Sequence, residues 1–196
     1  MRKTPRQARS REMVERIVAA GREVLVTDGY DAFSTNRVAA AAGISPGSLY
    51  QYFPDKAAIL DVVIDRYTEQ TADRVAAAMA DRMGGAGLDV VRDIVDALVS
   101  ALEADRALLH VVAEQLPLAR SKARREALEQ RVRELASTYL IARPEHSRRP
   151  VPAVSTWVTV LAIENLATRW VLDQPDITRD QLLDEIVAMV SGYLLS

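Results

Sequence analysis

The sequence predicts an all-α protein. Alanine, valine and leucine dominate a chain of 196 residues, of which 49% are hydrophobic and only 5% aromatic, a composition that suits packed helices. Apolar residues recur three and four apart over most of the length, the spacing of one helix face. Glycine and proline are sparse and gather at a few places, where they end one element and open the next. Those breaks divide the chain into about nine helices, grouped into an N-terminal region of residues 1–54 and a larger one of residues 55–196.

Residues 1–10 carry Arg2, Lys3, Arg6 and Arg9 and no acid; they are expected to be a solvated tail. Residues 11–28 follow as the first helix, with Val14, Ile17, Val18, Gly21, Val24 and Leu25 on its inward stripe. Gly29 should close it at positive φ, with Tyr30 and Phe33 packing the turn.

Residues 34–56, STNRVAAAAGISPGSLYQYFPDK, read as two short helices joined by a tight turn. Ser34 is placed to cap the first, whose small apolar stripe is Val38, Ala39 and Ala42. Gly43 stands where a helix C-terminus wants a residue tolerant of positive φ. Ser45-Pro46 reopens a helix, serine as cap and proline at the first helical position. That helix carries Gly47, Ser48, Leu49, Tyr50, Gln51 and Tyr52, with Leu49 and Phe53 as its inward anchor; Pro54 ends it and Asp55 caps the next. The arrangement is a helix-turn-helix, in which the second helix enters a major groove. Candidate DNA contacts are Thr35, Asn36, Arg37, Ser45, Pro46, Gly47, Ser48, Tyr50, Gln51, Tyr52 and Lys56. Gly47 and Ser48 are small enough for close approach, Thr35 and Lys56 suit phosphates, and glutamine has the geometry for adenine.

Gly29-Tyr30, Val38-Ala39, Ala42-Gly43, Ile44-Ser45, Gly47, Leu49-Tyr50, Tyr52-Phe53 and Lys56 together resemble the N-terminal signature of the TetR-type (TetR/AcrR) transcriptional repressors. The match runs in register over about the first 60 residues. It implies three DNA-binding helices, a larger ligand-binding and dimerisation domain of bundled helices, and a homodimer. Phe33 departs from the pattern, which more often has a small residue there. Beyond about residue 65 no motif of the family is visible.

The helix expected over residues 55–83 holds no glycine or proline. Unbroken, it would run roughly 40 Å, and it is the one element expected to touch both regions. Gly84, Gly85 and Gly87 end it. Residues 88–103 form the next helix, and 105–115 a short one that is apolar nearly all round, as for a central buried helix. Residues 119–142 are charged and amphipathic, and Pro144, Pro150 and Pro152 mark a loop. Two strongly apolar helices over 154–172 and 178–195 complete the chain. Each is apolar on more than one face, which predicts a four-helix interface with a second copy through Trp157, Leu161, Leu183, Ile186 and Val190.

Charge is uneven. Residues 1–56 hold nine Lys and Arg against six Asp and Glu, and the remainder holds 16 against 21, giving +3 and −5 within a net charge of −2. A basic head on an acidic body fits a chain of which one end meets nucleic acid. There is no cysteine, so thiolate zinc sites and disulfides are excluded. With only His110 and His146 as imidazoles, no metal or other cofactor is expected, and no enzyme. No run approaches a membrane span, nor does the basic N-terminus lead into a signal peptide; a cytoplasmic protein is expected.

Polar residues in apolar runs point to where a ligand would sit: Tyr67, His110, Tyr139, Glu164 and Asn165. No charged cluster suits a polyanion, which favours a small, largely apolar effector. The reading is therefore a homodimeric repressor of a palindromic operator in double-stranded DNA, released by such a small molecule. The alternative is a helical regulator that acts through protein contacts without sequence-specific DNA binding.

Overall fold

The structure is a computed structural model that describes residues 5–81, 88–117, 130 and 152–194. The described residues are helical, with no strand among them. They are α1 (Pro5–Ala32), α2 (Thr35–Ala41), α3 (Pro46–Leu49), α4 (Lys56–Asp81), α5 (Leu88–Glu103), α6 (Arg106–His110), a π-helical turn (Val111–Gln115), α7 (Pro152–Asp173) and α8 (Arg179–Leu194). The charged helix expected over 119–142, apart from residue 130, lies outside the described residues, and Tyr139 with it. So do the first four residues of the expected tail, while the rest of it is helical, because α1 already begins at Pro5 rather than at Arg11.

The chain divides into two compact units, Met1–Tyr67 with Ala107–Leu118, and Thr68–Arg106 with Ala119–Ser196. The division falls within α4, and Ala107–Leu118 returns to the first unit. The helix beginning near Asp55 is thus not the only element shared between the N-terminal region and the rest, as its length had suggested.

The first unit is a helical core around α1. Ile17, Val18, Val24 and Leu25 are buried on it, together with Phe33, Val38, Leu49, Phe53, Ile59, Leu60 and Ile64. Phe33 fills the centre, which explains how a large residue is accommodated where the family pattern is small. Gly29 has φ 79 and ψ 172, a region essentially open to glycine alone. It breaks α1 there and turns the chain toward α2. The next amide, that of Tyr30, donates to Gln115 Oε1 at 3.0 Å. The segment 106–116 buries Leu108, Leu109, Val111 and Leu116, while His110, Glu114 and Gln115 stay exposed. It is therefore two-faced rather than apolar all round, and its π-helical turn, closed by Leu116 N–H to Val111 O at 3.1 Å, sits where Gln115 reaches Tyr30. Arg66 grips Glu15 through two bonds of 2.6 Å, and these hold the carboxyl of Glu15 below the usual carboxylate range. This contribution is present above the unfolded pKa and fades as pH falls through the folded one.

The second unit packs α5 against both α7 and α8. Val95, Val99 and Leu102 on α5 meet a core completed by Ala167 and Val171 of α7 and Leu182, Leu183, Ile186, Val190 and Leu194 of α8. Arg179 fastens the start of α8 to α5, donating to Asp96 Oδ1 at 2.7 Å, Asp96 O at 2.9 Å and Glu103 Oε2 at 2.8 Å. One turn on, Arg92 pairs with Asp180 and Asp184. Thr178 and Gln181 cap α8 reciprocally, at 2.8 and 3.3 Å, the capping-box arrangement.

This packing corrects the expected dimer face on α8. Leu183, Ile186 and Val190 are core residues of a single chain, so the apolar stripe of α8 is already partnered by α5. What faces outward on α8 is Asp180, Gln181, Asp184 and Glu185 in its first half and Ala188, Met189 and Gly192 in its second. On α7, Val154, Trp157 and Val158 are exposed and Leu161 is half-buried. Arg169 places its guanidinium on Asp173 one turn along α7.

Candidate nucleic-acid interface

The helix-turn-helix forms as its sequence dictates. Ser34 is extended at the start of α2 and its hydroxyl accepts from Arg37 N–H at 3.4 Å. Gly43 adopts φ 64 after α2, a conformation a side chain would resist. Ser45 caps α3, accepting from Ser48 N–H at 3.1 Å, with Pro46 in the first turn. The regular part of α3 ends at Leu49, sooner than the sequence suggested. The chain then tightens, with Tyr52 N–H bonded to Leu49 O at 2.9 Å. Leu49 and Phe53 are buried, so the inward anchor holds the turn even where the regular helix has ended. Asp55 Oδ1 accepts from Ala58 N–H at 2.8 Å and caps α4.

All eleven candidate contact residues lie in the first unit, ten on α2, α3 and the turns beside them and Lys56 at the start of α4. Asn36, Arg37, Ser45, Pro46, Gly47, Tyr50, Gln51 and Lys56 are exposed; Thr35, Ser48 and Tyr52 are half-buried. Their side chains are not equally available. Arg37 is paired with Asp28 at 2.5 Å. Ser48 shares its hydroxyl with that of Ser45 at 2.9 Å. Thr35 Oγ1 lies 3.1 Å from the Tyr50 hydroxyl. Lys56 donates to Phe33 O at 3.2 Å and sits 5.8 Å above the Tyr30 ring, so its charge is braced against the core beside α2. Asn36 on α2 and Gln51 in the turn after α3 are exposed, and no side-chain bond of theirs is found among the described residues. Two exposed amides thus stand among hydroxyls and cations that are bonded within the fold. No sequence pattern predicted this sorting, because it depends on which side chains the fold brings within bonding distance.

The residues expected to hold a ligand, Tyr139 apart, fall in both units. Tyr67 is buried and His110 exposed, both in the first unit; Glu164 is half-buried and Asn165 exposed, both in the second. Asn165 is exposed on α7, as are Trp157 and Val158. A cleft of about 310 Å³ in the second unit is lined by Glu103, Arg106, Trp170, Val171, Gln174 and Pro175, none of them a predicted ligand residue. Its polar groups serve the fold: Arg106 donates to Leu172 O at 3.0 Å and Trp170 Nε1 to Ile177 O at 3.1 Å. No group of three His, Asp or Glu among the described residues is arranged to hold a metal. No helix among them is long and apolar enough to cross a membrane.

Comparison with known proteins bears on both units. Residues 17–63 match the family model of bacterial regulatory proteins, tetR family. Residues 88–194 match that of the tetracyclin repressor-like C-terminal domain. Among solved structures, the chain is similar to the fatty acid degradation regulator FadR from Bacillus halodurans, with TM-score 0.69, 16% identity, and coverage of 98% of this chain and 97% of that one. It is also similar to NalD, the secondary repressor of the MexAB-OprM multidrug efflux pump in Pseudomonas aeruginosa, with TM-score 0.67, 20% identity and coverage of 95% and 97%. A third is the multidrug binding protein EbrR complexed with imidazole, with TM-score 0.65, 16% identity and coverage of 90% and 93%. The comparison with curated proteins found no match.

Proposed function

Because this chain belongs to the tetR family of bacterial regulatory proteins and is therefore a DNA-binding transcriptional regulator, we propose that it is a homodimeric repressor released from a palindromic operator by a small, largely apolar molecule. The observation that carries the DNA-binding part is the α2–α3 surface, where Gln51 and Asn36 stand exposed among hydroxyls and cations that are bonded within the fold. Phosphate contacts set position and base edges set sequence. On that division Lys56, Thr35 and Tyr50 hold the backbone, while Gln51 reads adenine through the two-bond geometry of its amide.

Replacing Gln51 by alanine is expected to weaken operator binding by about 1–3 kcal/mol and to relax preference at one base pair per half-site. Tyr50→Ala should cost a similar amount, but alike on operator and unrelated DNA. Electrophoretic mobility shift with a panel of single-base operator variants reads both. An unchanged base preference in Gln51→Ala would take the readout away from this residue.

Release by ligand requires a coupling free energy between effector and operator, typically about 1–3 kcal/mol. Two stretches can transmit it. One is α4, which runs without a break from the recognition turn to Asp81. The other is the segment through Gln115, which holds the amide just before α2. The relatives support an effector of this kind: one is named as a multidrug binding protein and another as a repressor of a multidrug efflux pump.

A further inference from the structure

The contact between Thr35 and Tyr50 has a use that neither residue has alone. Thr35 opens α2, and Tyr50 follows the last regular residue of α3. Their hydroxyls lie 3.1 Å apart and join the two helices of the motif across the turn. Tyr50 is 53% exposed. A bond between hydroxyls in reach of water adds little net stability. Its effect is to orient: an exposed phenol that could swing through several rotamers is held by a β-branched residue, which is itself stiff at χ1.

We propose that Thr35 is a positioning residue for Tyr50, and that the two hydroxyls receive one DNA phosphate as a coupled unit. This rests on the reading of α2–α3 as the DNA surface. The hydroxyls bring two protons. One lies in the bond between them, whichever is the donor, and the other is left to point outward. With Thr35 donating, the outward proton is on the phenol, the more exposed of the two, and acceptance of the first bond polarises it for the second. A phosphate oxygen is the matching acceptor, because a hydroxyl bonded to an anion forms the shorter and stronger kind of hydrogen bond. The neighbouring hydroxyls of Ser45 and Ser48 are already occupied with each other, so they do not offer the same service.

The pair makes distinctive demands on measurement. Its members are neutral, so losing them should leave the dependence of affinity on salt unchanged, unlike loss of a lysine. They touch backbone and not bases, so the loss should be equal on operator and unrelated duplex. The test is a double-mutant cycle of Thr35→Val, Tyr50→Phe and both together, read by fluorescence anisotropy on duplex selected with the wild-type protein. Each single variant should bind about tenfold more weakly. The double variant should be little worse than either single one, because each change disables the same unit. Thr35→Ser, which keeps the hydroxyl, should recover most of the loss, and melting temperatures confirm that the fold is kept. Independent losses, about a hundredfold in the double variant, would overturn the coupling, as would a changed salt slope or full affinity in Thr35→Val. A wild-type protein that binds no duplex would instead bring down the DNA-binding reading itself, and the pair's role with it.

Discussion

Ile186→Asp is expected to unfold the second unit. Ile186 is 1% exposed in the core that α8 makes with α5. An aspartate there loses the packing of the isoleucine and buries a carboxylate without a partner. Removal of a large core side chain alone costs about 2–5 kcal/mol, and the stranded charge adds several more or forces protonation. Whole-domain stabilities are about 5–15 kcal/mol, so little would remain. Circular dichroism with urea should show a large loss of helix at low denaturant. Met189→Asp, three residues on but facing outward, should change monomer stability by no more than about 0.5 kcal/mol. If Ile186→Asp keeps a native-like stability, the packing of α8 against α5 is wrong.

Trp157→Asp and Val158→Asp together are expected to separate the proposed dimer while leaving each chain folded. Trp157 is 46% exposed, with Val154 and Val158 beside it at helical spacing. Ala188, Met189 and Gly192 on α8 give a second, shorter outward strip next to the exposed Asp184 and Glu185. In water these faces call for a cover, and a second copy turned through a two-fold axis offers the same surface in return. Aromatic residues near the centre of such a contact carry about 2 kcal/mol or more each. The two charges should raise the dimer dissociation constant by more than about a hundredfold, visible in analytical ultracentrifugation as a monomer with unchanged helix content. Operator affinity should fall with it, because one head addresses one half-site. A tight dimer from this variant would move the interface elsewhere.

Much of this was legible in the residues themselves, and the reason differs by region. From Ser34 to Asp55 the structure depends on caps, a positive-φ glycine and two apolar anchors. These are local rules, so the sequence and the structure agree nearly residue by residue. The exception, the early end of regular α3 at Leu49, is a matter of one turn tightening. The dimer face was misjudged on α8 because an apolar stripe shows that a face is covered, not by what. Leu183, Ile186 and Val190 looked like a face for a second copy, and α5 of the same chain already covers them. Trp157 is exposed on α7 together with Val154, Val158 and Leu166, apolar side chains that none of the described residues covers. The ligand residues were the least legible. Isolated polar residues such as His110 and Asn165 carry no period, and both turn outward. The return of 107–118 to the first unit, and the bond of Gln115 to Tyr30, link residues 85 apart in sequence, which no local pattern encodes.

The central claim is that the α2–α3 surface reads duplex DNA. Its most direct test is to select bound sequences from a random duplex pool, then titrate the winning duplex and a scrambled one at several salt concentrations. The account predicts two inverted half-sites about one or more helical turns apart, affinity for the winner about a thousandfold or more above the scrambled duplex, and binding of both that weakens steeply as salt rises. A folded protein that enriches no sequence and binds the two duplexes equally at every salt concentration would contradict it.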